Sequence, residues 1–151
     1  MPDGEQQVVV FQLGDEFYGV DIGLVRGVEA LSSITRIPRT PPYIRGVINL
    51  RGRVIPVVDL KLRLGLPAQA AADSKIAVIE ADGQTVGVMV DGVSEVAAIS
   101  PEDVDPPSAV SGGVDVEYIL GVARRGDRLI TLLDLTRALA RTDRADAAVI
   151  R

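Results

Sequence analysis

Residues 46–60 read GVINLRGRVIPVVDL, and residues 121–135, 75 positions later, read GVARRGDRLITLLDL. Both stretches open on Gly-Val, pass through a polar middle, enter a run of Val, Ile and Leu, and close on Asp-Leu. The apolar run is the part that a core requires, since fully burying a Val or Ile contributes about 1.5–3 kcal/mol. The middles differ: Ile-Asn-Leu-Arg in the first copy stands against Ala-Arg-Arg-Gly in the second. A loop or strand edge without a packing duty is free to diverge once one copy alone meets a partner.

The repetition extends upstream. Val10–Val28 aligns with Val78–Val96 at an offset of 68, matching Gly19 with Gly87, Val20 with Val88, Val25 with Val93 and Val28 with Val96. The second half is longer by a loop around ISPEDVDPPSAVSGGVDVEY. The apolar runs VVVFQL, FYGVDI, RVIPVVDL, IAVIEA, TVGVMV and RLITLLDL are rich in β-branched residues and are parted by turn signals, so the plan is all-β. Hairpin turns are expected at Gly14-Asp15 and Asp82-Gly83. Gly19 and Gly87, each inside a strand, are expected at a bulge or corner where the backbone bends or passes close to another strand. Helices are scarce: one short turn follows Asp59 and a longer helix follows Asp134, each aspartate acting as N-cap rather than as a catalyst. Two homologous halves of about five strands imply paired small barrels related by a pseudo-twofold axis, because one five-stranded sheet cannot cover both its faces. We expect a single domain over residues 8–140, with a first barrel from 8–66, a second from 75–140, a linker LGLPAQAAADS between them, and flexible tails at 1–7 and 141–151.

Composition narrows the function. The chain has 151 residues, 47% hydrophobic and 25% charged, with neither His nor Cys. Imidazole acid–base catalysis, thiol nucleophiles and the usual zinc sites are therefore excluded. Glu102, Asp103 and Asp105 lack the glycine and distal glutamate of a calcium loop and read as a solvated acidic turn. No glycine-rich loop leads into a lysine-bearing helix to cradle a nucleotide phosphate. No enzyme activity and no cofactor are expected. The net charge is −5, but it is segregated: Arg26–Arg63 holds eight bases against Glu29 and Asp59, while Asp73–Glu117 holds ten acids against Lys75. An acidic total and the lack of aromatics among the arginines argue against nucleic acid, and a bipolar molecule suits oriented docking on protein partners. The acidic, polar start MPDGEQQ is not a signal peptide, and no apolar run approaches the length of a membrane span, so a cytoplasmic protein without membrane insertion is expected.

FQLGDEFYGVDI, ITRIPRTPPYIRGVINLRGRVIPVVDLKLRLGL, TVGVMVDGVSEV and GVARRGDRLITLLDL together resemble the CheW family of chemotaxis coupling proteins, in order and spacing from about Val8 to Ala140. The resemblance implies two five-stranded SH3-like barrels and a scaffold that binds both the cytoplasmic tip of methyl-accepting chemoreceptors and the regulatory domain of the histidine kinase CheA, at membrane-associated arrays where adaptor and kinase can alternate in rings. On the receptor side it points to Val25 and Val28 in an apolar groove between the two barrels, with Arg51 at its rim, and to Asn49 and Leu50 beside it. Asn49 and Arg51 also fit a plain turn, and both valines fit a plain core role. Where many relatives carry a Glu-Ile pair this chain has Gly27-Val28, so the acidic contact at Gly27 is missing. On the kinase side the stiff loop Ser32–Tyr43 is indicated, with Arg36, Pro38, Arg39, Pro41 and Tyr43, together with its acidic counterpart Ser100–Val110. The CheW-like part of a CheV adaptor or of CheA would share the fold. Receiver and kinase motifs are absent, and the native-looking Met start with a short polar end suits a free-standing adaptor.

Overall fold

Tight turns organise the strands. In the structure, a computed structural model that describes residues 4–31, 33–67, 74–107 and 116–140, β1 (Gln6–Leu13) and β2 (Glu16–Asp21) form a hairpin across Gly14-Asp15. β6 (Lys75–Ala81) and β7 (Gln84–Val90) form its counterpart across Asp82-Gly83, both with positive φ, the backbone that a two-residue hairpin turn demands. β3 (Val25–Ala30) and β8 (Gly92–Ile99) follow these hairpins. β4 (Ile44–Leu50) pairs with β5 (Arg53–Asp59), β10 (Ile119–Arg125) pairs with β11 (Arg128–Leu133), and the two-residue β9 (Val104–Asp105) lies beside β10. After β5 comes α1 (Leu60–Arg63), capped by Asp59, whose Oδ1 accepts from the Leu62 amide at 3.3 Å. After β11 comes α2, described over 135–140, where the Asp134 Oδ1 accepts from the Arg137 amide at 3.0 Å.

The strands form two sheets of matching order, β3-β6-β7-β5-β4 (barrel I) and β8-β1-β2-β11-β10-β9 (barrel II). This corrects the expected division into a barrel from 8–66 and a barrel from 75–140. Each half keeps its later strands and gives its first hairpin to the other barrel: β1 and β2 lie in barrel II, β6 and β7 in barrel I. The physical reason is burial. β1 is apolar on both faces, with Val8 and Val10 in the core of barrel II and Val9, Phe11 and Leu13 in a larger core shared between the barrels. Ile76 of β6 likewise enters barrel I while Ala77 and Ile79 face the shared core. A hairpin of this kind needs a sheet on one side and a second layer on the other, and the exchange supplies both. Of the expected linker, residues 68–73 lie outside the described residues, as do 1–3 and 141–151 of the expected tails.

The pseudo-twofold correspondence reaches individual registers. Parallel pairing sets Val57 opposite Gly87 in barrel I and Leu132 opposite Gly19 in barrel II. The ladder slips between Ile44 and Gly46 and again between Ile119 and Gly121. Both of these glycines admit a crossing backbone: a Cβ on Gly46 would collide with the carbonyl of Thr35, and one on Gly121 would stand 2.8 Å from the carbonyl of Asp105. Thr35, bridged to Val47, is thus the barrel I equivalent of β9. Gly19 and Gly87 are not at bulges; a Cβ there would press on Leu132 at 3.0 Å and on Ile76 at 2.9 Å, so they mark close approach.

Polar groups pin the seam between the barrels. Arg63 of α1 lies over the rings of Tyr43 and Tyr118, 5.0 and 5.1 Å from their centroids. It also donates to the Tyr118 hydroxyl at 2.8 Å and to the Ala138 carbonyl at 3.0 Å. Tyr43 and Tyr118 are themselves equivalent positions, their carbonyls accepting from the amides of Asp59 and Asp134. A second fastening is the ion pair of Lys61 with Asp91 at 2.9 Å, whose side chains are 9% and 12% exposed. The other oxygen of Asp91 accepts from the Gly14 amide at 2.6 Å, so the end of β7 in barrel I holds the β1–β2 turn of barrel II.

Candidate functional site

The β4–β5 turn is built by its own residues. Asn49 Oδ1 accepts from the Gly52 amide at 2.9 Å, and Arg51 and Gly52 take φ of 52° and 85°. The asparagine is therefore a turn-former. Its neighbour Leu50 packs half-buried against the barrel I core of Ile48, Ile55, Val57 and Ile76. The Arg51 side chain is 79% exposed and reaches Glu29 on β3 at 3.4 Å. Since β3 and β4 are the outer strands of this sheet, the contact links its two edges.

Apolar surface lies on the same strands and the segments beside them. Val28 of β3 is 42% exposed, Leu31 just beyond it is exposed as well, and Val54 of β5 is 69% exposed. Val25 instead packs against the shared core. The structure thus brings Val28 and Arg51 to one margin of barrel I, leaves Asn49 and much of Leu50 to the turn and core, and turns Val25 inward. Leu31, Glu29 and Val54 escaped the sequence reading. Val54 could have been noticed, because it precedes the buried Ile55 in strand alternation.

The equivalent turn in barrel II has a different surface. Gly126, with φ of 62°, and Asp127 occupy the two central positions, so glycine stands where Arg51 stands in the first copy. The flanking Arg125 and Arg128 are tied to Glu95 at 3.6 and 3.2 Å, and Arg128 also lies 4.0 Å over the Phe17 ring. Val96 and Leu129 are exposed as Val28 and Val54 are.

A second candidate surface is the proline-rich loop before β4. Thr40 donates its hydroxyl to the Ile37 carbonyl at 3.1 Å, and the Ile44 amide donates to Pro41 at 3.0 Å, bending the loop around a hollow of about 670 Å³. Arg36, Arg39 and Arg45 line it, with Pro38, Pro41 and Ile34 among the apolar walls. Four of the five expected kinase-side residues, Arg36, Pro38, Arg39 and Pro41, are gathered there. Tyr43 is not; it packs half-buried against the shared core beneath Arg63. Arg45 was missed, since its place on β4 gave no sign that it faces the loop. Of the acidic counterpart loop, residues 108–110 lie outside the described residues; Asp105 there is paired with Arg124 at 2.6 Å, a contact that raises the arginine pKa. Among the described residues no cluster of three acidic side chains is placed to hold a metal ion, and no helix is long and apolar enough to cross a membrane.

The model of the CheW-like domain matches residues 7–143. The chain belongs to the CheW family. It is 33% identical over 141 residues to the chemotaxis protein CheW of Klebsiella aerogenes, covering 93% of this chain and 85% of that one. With CheW of Treponema pallidum it shares 34% over 139 residues, covering 88% and 81%. The scaffolding protein TtCheW from Thermoanaerobacter tengcongensis superposes with a TM-score of 0.82 at 39% identity, covering 92% and 90% of the two chains. This CheW-family chain is accordingly a chemotaxis scaffold with two SH3-like barrels and not an enzyme.

Proposed function

We propose that the protein couples methyl-accepting chemoreceptors to the histidine kinase CheA, binding the receptor's cytoplasmic tip at the margin of barrel I and the kinase regulatory domain at the proline-rich loop. The observation that carries this reading is the asymmetry of two turns at equivalent positions of the repeat. In barrel I an exposed arginine reaches Glu29, the chain neighbour of exposed Val28 on β3; in barrel II its place is taken by Gly126. A helical receptor tip would lay an apolar stripe on Val28 and offer Arg51 a carboxylate or carbonyl at the rim. Holding receptor and kinase at once, in the cytoplasm beneath the receptor array and within rings that alternate with CheA, raises their effective concentration and fixes their orientation without chemistry.

Calorimetric titration with a soluble receptor signalling fragment and, separately, with the CheA regulatory domain tests this. Wild type binds both, and Arg51→Ala loses the receptor at least about tenfold while keeping the kinase. Stability changes by less than about 0.5 kcal/mol, because the ion pair it breaks is solvent-exposed. Absence of binding to either partner at tens of micromolar defeats the coupling reading.

A further inference from the structure

Arg39 occupies a backbone position that an arginine disfavours. It follows Pro38 in the turn Ile37–Thr40 and takes φ of 68°, the second central position where glycine or asparagine is the residue of choice. A side chain with a Cβ is strained in this left-handed region, and strain of this kind is kept where the side chain has a task. No hydrogen bond or ion pair within the described chain rewards the arginine: neither Arg36 nor Arg39 meets an acidic side chain there. Arg45 has only Asp59, at 4.0 Å. Three guanidinium groups therefore surround one hollow with their charge unneutralised or nearly so, in a molecule whose total charge is −5.

We propose that this hollow receives an acidic segment of the partner protein, with Arg39 as the residue that selects it. The inference rests on the kinase-docking reading above and adds the chemistry of the contact: a loop bearing one or more Asp or Glu side chains, which a planar guanidinium grips through two parallel hydrogen bonds. The proline-stiffened walls lose little freedom on binding, and the preset turn aims Arg39 before the partner arrives. Ile34 and the prolines line the hollow beside the arginines.

The strain makes the test directional. Asparagine tolerates the left-handed region, so Arg39→Asn keeps the turn while removing the charge. Arg125→Gln, in barrel II, removes an equal charge elsewhere. Each variant and wild type are titrated calorimetrically with the CheA regulatory domain at low and high salt, and melting is followed by circular dichroism. The expected result is an affinity loss of about tenfold or more for Arg39→Asn with a weaker salt dependence, wild-type affinity for Arg125→Gln, and a midpoint for Arg39→Asn that is unchanged or raised. Equal binding by Arg39→Asn and wild type overturns the proposal while leaving kinase docking intact. A fall of several degrees in the Arg39→Asn midpoint overturns it by making the arginine structural. No binding by wild type removes the kinase-docking reading and the proposal with it. Arg39-dependent self-association in sedimentation, without kinase binding, assigns the hollow to a second copy and overturns it too.

Discussion

Substituting Asp91 by alanine should damage this fold more than most changes to a charged residue. The carboxylate holds the Lys61 ammonium at 2.9 Å, and the two side chains are 9% and 12% exposed. Breaking a largely buried ion pair by removing one partner costs up to about 3–5 kcal/mol. The lost acceptor for the Gly14 amide adds little, because that turn is exposed and water replaces the carboxylate. For a chain of this length each kcal/mol lowers the melting midpoint by roughly 2–4 °C, so Asp91→Ala should melt on the order of 10 °C below wild type. Urea unfolding followed by far-ultraviolet circular dichroism suits a protein without Trp. The double variant Lys61→Met/Asp91→Ala removes both charges and fills part of the space, so it should recover to within about 1–2 kcal/mol of wild type. A loss below about 1 kcal/mol in the single variant, or a double variant no better than the single, would refute the claim that the seam holds a buried charge pair.

Two further outcomes are checked by similar means. Gly121→Ala drives a methyl against the Val104 side chain at 2.6 Å and the Asp105 carbonyl at 2.8 Å, so β9 must shift and stability should fall by about 1–3 kcal/mol in the same urea assay. The Tyr18 phenol is pushed above its ordinary 10.0, first by burial and then by the Glu16 charge. The folded pKa thus exceeds the unfolded one, so its contribution to stability is complete below pH 10.0 and should be lost as pH rises through the folded value. Tyr18→Phe should flatten that alkaline decline.

Much of the architecture was legible in local signals. β-branched runs, Gly-Asp and Asp-Gly turns and the two aspartate caps correspond to strands, hairpins and helix starts at the expected residues. The Gly-Val openings of the repeat mark the two places where a short strand crosses a glycine. What local signals do not carry is partnership between distant segments. VVVFQL and IAVIEA read as strands buried on both faces, yet nothing in them says which half supplies the covering sheet, and the hairpin exchange went unseen. The site divides the same way. Arg51 stood out because its repeat partner differs, whereas Val25 and Tyr43 turned inward because period-two alternation does not reveal which face a core occupies. Arg45 was invisible because a strand residue becomes part of a loop's hollow only through tertiary placement. The positive φ of Arg39 was not legible, because a residue after proline is as much at home in a type I turn as in a type II turn.

The exchanged hairpins also bear on how the molecule can respond to a load. Barrel I cannot unfold alone, since its β6 and β7 run on through Asp91 into β8 of barrel II, and barrel II owes β1 and β2 to the chain that continues as β3. A protease nick between α1 and β6 would therefore yield two interlocked fragments rather than two separable domains. A force applied at the Val28 and Arg51 margin meets a strand joined by three residues of chain to β2 in the opposite barrel. The two faces of the scaffold thus answer mechanically as one body.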